Sequence, residues 1–195
     1  MILSIVEYNY SLWDLIMKKN SVQNIKLLIF DVDGVLSDSK IIISNDGNEY
    51  KNFDVKDGLG LVFVQKLGIK VAIITGKSSR IVTDRLTALG LDPEDIFQGQ
   101  KNKLNAYQTL KDKYSLKDSQ IAYMGDDLPD IILMNKVGIS AAPADCSNIV
   151  SEYADYNCKH NGGNGAAREF CEYLIKLSGK YDAMLQSFID DGGLK

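Results

Sequence analysis

Three short apolar runs constrain this chain most: Leu27-Leu28-Ile29-Phe30, Val71-Ala72-Ile73-Ile74 and Ile121-Ala122-Tyr123-Met124. Each is uninterrupted and stops at Asp, Thr or Gly. A strand covered on one face alternates apolar and polar residues, whereas a strand covered on both faces reads as a continuous run. Helical patterns lie between them, over Leu59 to Leu67, Ser79 to Leu89 and Leu104 to Tyr114. Strand-helix alternation of this kind predicts an α/β fold with a doubly wound parallel sheet and helices on both faces. Weaker strands are expected at Ile96-Phe97 and over Val137 to Ala141, and an amphipathic helix over Ala166 to Leu177 follows the Gly162-Gly163-Asn164-Gly165 turn.

One segment breaks the alternation. Residues 40–53 carry Asp46-Gly47 between β-rich arms, which predicts a β-hairpin inserted after the first strand. With 195 residues, no repeat and no linker, a single domain spanning 1–195 is expected. Residues 1–24 read as a peripheral N-terminal extension with Ser11 as a helix cap, and residues 180–195 as a C-terminal tail.

Composition excludes several classes. A net charge of −4 and a pI near 5.0 argue against nucleic acid as a partner, because such proteins need a basic stripe to displace counterions. No window approaches the ~20 apolar residues of a membrane span. Cys146, Cys158 and Cys171 show neither metal-ligand spacing nor a disulfide framework, which fits a reducing cytoplasm.

Chemistry collects where the runs end. Asp31-Val32-Asp33-Gly34 follows the first run, and in open α/β sheets the ligand crevice lies at the carboxyl ends of the strands. A carboxylate there can act as a nucleophile, and a second one two residues on can donate and then accept a proton. Thr75-Gly76-Lys77-Ser78 ends the second run, with a hydroxyl beside a helix start. Gln98-Gly99-Gln100-Lys101-Asn102-Lys103 brings lysines after the weak strand, and Gly125-Asp126-Asp127-Leu128-Pro129-Asp130 brings carboxylates suited to Mg²⁺. Pro129 and Asp130 read as the first turn of a helix, with Asp130 complementing its dipole. Taken singly, these are a turn, a helix cap and solvated lysines. Four strand ends carrying nucleophile, hydroxyl, lysine and metal carboxylates in that order make coincidence a poor explanation.

The ordered set Asp31-x-Asp33-Gly34, Thr75, Lys103 and Gly125-Asp126-Asp127 resembles the haloacid dehalogenase superfamily of phosphotransferases. The segments FDVDGVLSD, NFDVKDGLG, IITGKSSRIVTDR, FQGQKNK, YMGDDLPD and GGNGAAREF resemble, more narrowly, the 3-deoxy-D-manno-octulosonate 8-phosphate phosphatases. The resemblance implies a Rossmann-type fold and an Mg²⁺-dependent phosphomonoesterase acting through an aspartyl-phosphate, in lipopolysaccharide precursor synthesis. It makes Asp31 the nucleophile and a metal ligand. Asp33 becomes the general acid/base that also offers its main-chain carbonyl to the metal, and Asp126 completes the metal site with Asp127 supporting it from behind. Thr75 and Lys103 would hold the phosphoryl group. Asp54, Val55, Lys56, Asp57, Gly58, Lys77 and Arg85 fall, with Lys103, where the family binds its substrate, a small phosphorylated sugar acid.

Two positions depart from that family. Val62 and Lys77 stand where those phosphatases tend to carry arginine, and lysine lacks the bidentate fork that suits a carboxylate. Phosphatases of nine-carbon ulosonate 9-phosphates therefore remain an alternative, as does a non-catalytic oligomerisation module. A phospho-accepting receiver domain shares the Asp, Thr, Lys and Mg²⁺, but Asp33 would promote hydrolysis of the acyl phosphate that a receiver preserves. Only 44 residues separate Asp31 from Thr75 and 28 separate Thr75 from Lys103, which leaves no room for a cap domain. The resemblance implies instead a homotetramer whose hairpins assemble and whose neighbouring subunits, through their C-terminal tails, complete each site. The apolar Ile41-Ile42-Ile43 arm fits such a contact, or else packs on its own domain. His160 has no task in this chemistry and reads as a turn residue.

Overall fold

The computed structural model describes residues 24–190 and residue 192. The expected N-terminal helix with its Ser11 cap lies outside the described residues. The three apolar runs are strands: β1 (Leu27–Phe30), β4 (Lys70–Ile74) and β6 (Ile121–Met124). With β5 (Ile96–Phe97), β7 (Ile139–Ala142) and β8 (Tyr156–Asn157) they form one parallel sheet in the order β5-β4-β1-β6-β7-β8.

The runs are continuous because both faces are covered. Leu28, Phe30, Val71, Ile73, Ala122 and Met124 point to one side, where α1 (Val55–Lys66), α2 (Arg80–Ala88) and α6 (Ala166–Leu177) pack. Leu27, Ile29, Ala72, Ile74, Ile121 and Tyr123 point to the other, against α3 (Lys103–Lys113) and α4 (Ile131–Met134). Register then builds the site. Phe30 is aligned with Ile73 on one flank and Met124 on the other, so Asp31, Thr75 and Asp126 leave the sheet along one rim.

Helix α1 begins at Val55, four residues before its first expected position, because Asp54 caps it: Oδ1 accepts the Lys56 N–H at 2.7 Å. It packs on α6 through Gly60, where a Cβ would stand 3.0 Å from Arg168 Cα. Helix α5 (Asn148–Ser151) completes the short elements before β8. The two-residue β8 carries no apolar run that could announce it.

The hairpin is present. Strands β2 (Ile42–Ile43) and β3 (Glu49–Tyr50) pair antiparallel, Ile42 with Tyr50 and Ile43 with Glu49, around Gly47 at φ +83°. Its apolar side chains do not pack on their own domain: Ile41, Ile42, Ile43 and Tyr50 are 46–66% exposed. Between β1 and β4 the chain makes only this hairpin and α1, and between Thr75 and Lys103 only α2, a 3₁₀ turn and β5, so the described fold carries no cap.

The segment expected as a C-terminal tail, residues 180–195, is partly helical. Tyr181–Asp190 is a helix, α7, that seats Met184 against the core and brings the Phe188 ring edge-on to Phe63 of α1 at 5.4 Å. Up to Asp190, then, this segment is packed on its own chain. No described helix is long and apolar enough to cross a membrane.

Candidate active site

Asp31 leaves β1 with its main chain still in the sheet, donating its N–H to Met124 O at 3.0 Å. Its Oδ1 accepts the Val32 N–H at 2.6 Å and its Oδ2 accepts from Lys103 Nζ at 2.7 Å. Lys103 occupies the first turn of α3, behind the Asn102 cap, and is 4% exposed. It is therefore not a solvated helix-start residue. Its ammonium also reaches Asp130 Oδ1 at 2.5 Å and Tyr123 Oη at 3.2 Å.

Asp130 is the largest departure from expectation. It does complete a short helical turn, Leu128–Asp130, but its carboxylate is 1% exposed and faces inward. Oδ1 takes Lys103 and the Tyr123 hydroxyl, and Oδ2 accepts the N–H groups of Asp126 and Asp127 at 2.9 and 3.1 Å. Asp127 turns outward and caps that turn by accepting the Leu128 N–H, so Asp130, rather than Asp127, is the carboxylate that braces the loop from behind. Two signals in the sequence pointed here: an Asp four residues after Asp126, and a tyrosine inside an otherwise apolar strand. Gly125 is needed because a Cβ there would stand 2.3 Å from Asp130 Cγ.

Charge at this rim is unbalanced. Carboxylate oxygens of Asp31, Asp126 and Asp130 lie within 4.8 Å of one another, with the Lys103 ammonium against Asp31 and Asp130. Burial, then the neighbouring Asp130 and Asp31 charges, push Asp126 up to about 8. Burial raises Asp31 too, against the pull of Lys103. Burial lowers Lys103, but Asp31 and Asp130 together outweigh it and hold the ammonium above its ordinary value. A divalent cation with a preference for oxygen ligands answers this deficit. Since Asp130 already uses both oxygens in four hydrogen bonds, Asp31 and Asp126 are the carboxylates suited to hold it.

A cavity of about 470 Å³ opens over these groups, lined by Asp31, Asp33, Thr75, Lys77, Lys103 and Asp126 among others. Thr75 is 2% exposed and anchored by its N–H to Phe97 O at 2.9 Å. Asp33 Oδ1 accepts from Ser37 Oγ at 3.2 Å and pairs with the Lys51 ammonium, a partner not foreseen. Lys101 lines the cavity as well, but is exposed.

The expected substrate segment is not brought there. Asp54 caps α1, and Val55, Lys56, Asp57 and Gly58 form its first turn. The Asp57 carboxylate is turned the other way, to Gly165 N and Arg168 N at 3.1 and 2.8 Å, because the N-terminus of α6 needs acceptors and Gly165 offers none. Arg85 lies against Gly58, where a Cβ would meet its Nη2 at 2.6 Å, beside a separate small cleft with Asp54 and Leu89. Of the expected substrate contacts, only Lys77 and Lys103 line the main cavity. His160 is a turn residue, its Nδ1 2.6 Å from Glu169 Oε2.

Comparison with known proteins places these features in context. The haloacid dehalogenase-like hydrolase family matches residues 93–170. The 3-deoxy-D-manno-octulosonate 8-phosphate phosphatase of Escherichia coli (strain K12) is 46% identical over 160 residues, covering 82% of this chain and 84% of its own length. The same phosphatase from Moraxella catarrhalis, crystallised in complex with magnesium ion, phosphate ion and KDO molecule, superposes with TM-score 0.84 at 40% identity, covering 88% of this chain and 97% of that one. The cobalt-bound enzyme from Haemophilus influenzae gives TM-score 0.81 at 33% identity, covering 87% and 99%.

Proposed function

This chain belongs to the haloacid dehalogenase-like hydrolases, among the 3-deoxy-D-manno-octulosonate 8-phosphate phosphatases, and from that premise we propose how its own residues divide the work. The reaction is Mg²⁺-dependent hydrolysis of a phosphorylated sugar acid to the free sugar acid and phosphate. The observation that carries our reading is the Asp31 carboxylate at the end of β1, gripped by Lys103 and facing Asp126 in one cavity.

Asp31 and Asp126, with the main-chain carbonyl of Asp33, would hold the cation. When bound, Mg²⁺ neutralises the carboxylate cluster and draws charge from the phosphoryl oxygens. Asp31 attacks phosphorus, Asp33 gives a proton to the departing sugar oxygen, and Asp33 then takes a proton from the water that releases phosphate. Thr75 and Lys103 hold the phosphoryl oxygens. Lys77 and Lys101 supply the positive wall for the sugar carboxylate, while Asp57 and Arg85 act on the frame rather than on the substrate. Lys77 also supports a second reading, a nine-carbon ulosonate 9-phosphate as substrate, because arginine is the usual residue at that position.

The bare hairpin supports a homotetramer whose neighbouring subunits cover each cavity, since two-stranded ribbons with apolar faces seldom stay exposed. Three cysteines without disulfides fit a cytoplasmic setting. Phosphate release with Mg²⁺ from 3-deoxy-D-manno-octulosonate 8-phosphate, a nine-carbon ulosonate 9-phosphate and an aryl phosphate tests the assignment. Preference for the first is expected; preference for the second would make Lys77 and Val62 the specificity switch.

A further inference from the structure

Lys51 carries a buried ammonium that the reaction as described leaves without a task. It follows β3 on a hairpin whose apolar residues are exposed, yet its own side chain is only 1% exposed, less than that of the acid/base it touches, Asp33, at 26%. Removing an ammonium from water is costly unless acceptors replace the lost hydration. Two do so: Asp33 Oδ1, in direct contact, and Glu49 Oε1 at 3.5 Å. Glu49 and Lys51 flank Tyr50, so the alternation of a strand puts both on one face of the arm and Tyr50 on the other. Glu49 Oε1 is itself buried and has no hydrogen bond among the described residues beyond this ion pair.

Both described contacts to the Asp33 carboxylate fall on the same oxygen. Lys51 Nζ, from the end of the hairpin, and Ser37 Oγ, from the turn after β1, converge on Oδ1. We propose that Lys51 is a positioning residue that pins Asp33 by Oδ1, so that Oδ2 is the oxygen that carries the proton in both chemical steps. This rests on the reading of Asp33 as general acid/base. In the first step an Asp31 oxygen bonds to phosphorus, the bond to the sugar oxygen breaks, and that oxygen takes the proton from Asp33 Oδ2. In the second, water oxygen bonds to phosphorus, the bond to Asp31 breaks, and Oδ2 receives the proton that water gives up. A carboxylate free to rotate about its terminal torsion would spend much of its time misaligned for both transfers.

The hairpin thereby gains a second use. The ion pair ties the outer arm to the proton-transferring group, so displacement of β3 is felt at Asp33.

The test uses a leaving group that needs little protonation. With 4-nitrophenyl phosphate and Mg²⁺, Lys51→Met is expected to release about one equivalent of 4-nitrophenol per site in a fast burst and then turn over slowly, because the second step still needs Asp33. With the sugar acid phosphate its kcat falls roughly 10²-fold, as expected for a misplaced catalytic group, while KM stays within about threefold. Lys51→Arg keeps a cation and recovers part of the loss. Glu49→Gln, which retains the lysine, shows the same burst with a smaller fall, and serves if Lys51→Met does not fold. Asp33→Asn separates the two readings. If it bursts and Lys51→Met does not, Lys51 is only a tie for the hairpin and the proposal is wrong. If Asp33→Asn turns over like the wild type, the acid/base reading itself fails.

Discussion

The Asp57 carboxylate accepts the main-chain N–H of Arg168 at 2.8 Å, across 111 residues of sequence, and so closes the N-terminus of α6 from the opposite helix. A second bond to Gly165 N uses its other oxygen. This pair, with Gly60 pressed on the Arg168 backbone, holds α1 against α6, and the glycine turn before α6 lies against the Gly34 and Ser37 backbone beside the site. Glycine at the α6 cap position is intelligible for the same reason: the acceptor comes from elsewhere.

Asp57→Ala therefore costs stability rather than recognition. Loss of a cap is worth about 1–2 kcal/mol, which is roughly 2–8 °C in Tm for a chain of this size. The kcat/KM for the sugar acid phosphate should stay within a few-fold of wild type. A raised KM at unchanged Tm would return Asp57 to the substrate, where the family resemblance had put it.

Gly34 and Ser39 face the metal loop and respond oppositely. Gly34 has φ +90°, and a Cβ there would stand 2.0 Å from Asp126 Oδ2. Gly34→Ala should abolish Mg²⁺-dependent turnover by displacing Asp126. Ser39 adopts φ +61°, a region that suits glycine. Ser39→Gly relieves that strain and is expected to leave Tm unchanged or raise it, with a gain of up to about 1 kcal/mol of stability, as the strain relieved balances or exceeds the entropy that glycine adds to the unfolded chain. Thermal melts and phosphate release on both variants check the pair; an active Gly34→Ala would show that Asp126 has room to move.

Much of this was legible beforehand, for a physical reason. A strand buried on both faces must be apolar throughout, so β1, β4 and β6 announced themselves, and the polar residues at their ends marked the rim where Asp31, Thr75 and Asp126 meet. The hairpin was legible from Asp46-Gly47 because few residues tolerate that turn. What stayed hidden depends on contacts distant in sequence. Nothing local distinguishes a carboxylate that caps a helix 111 residues away, as Asp57 does, from one that meets a ligand. Likewise Lys51 reads as a charge on an exposed ribbon until the hairpin folds back onto Asp33. Asp130 looked like a helix-start acid because its true partners, Lys103 and Tyr123, come from other elements.

Lys103→Met tests whether one ammonium holds the rim together. Breaking a buried pair from one side costs about 3–5 kcal/mol, because the remaining charge is left uncompensated. In divalent-free buffer the variant should be less stable by that amount near neutral pH and melt correspondingly lower, and turnover with Mg²⁺ should fall at least roughly 10²-fold through loss of charge stabilisation. Lys101→Met, on the same cavity but exposed, should keep its Tm and change chiefly KM. The reverse pattern would transfer the phosphoryl-binding role to Lys101.

The metal's contribution should grow with pH, and the sign follows from Asp126. Burial, with Asp130 and Asp31 close by, raises its folded pKa to about 8, above the ordinary carboxylate value near 4. The folded protein thus holds this proton more tightly than the unfolded chain does. Stability from that source is complete below about pH 4, declines as pH rises, and is lost once pH passes about 8. A divalent cation binds the charged form and removes the penalty, so binding competes with the proton. Without divalent ions, Tm should fall as pH rises from roughly 6 to 8.5. The gain in Tm at a fixed Mg²⁺ concentration should widen over the same interval, because the apparent affinity rises by up to about tenfold per pH unit while one proton is displaced. Asp126→Asn, which cannot take up that charge, should show a shallower fall and less widening, the remainder coming from Asp31, which burial also raises. A Mg²⁺ gain that is flat from pH 6 to 8.5 in the wild type would mean that Asp126 is already ionised in the metal-free protein, with Lys103 balancing more of the cluster than its contacts to Asp31 and Asp130 account for.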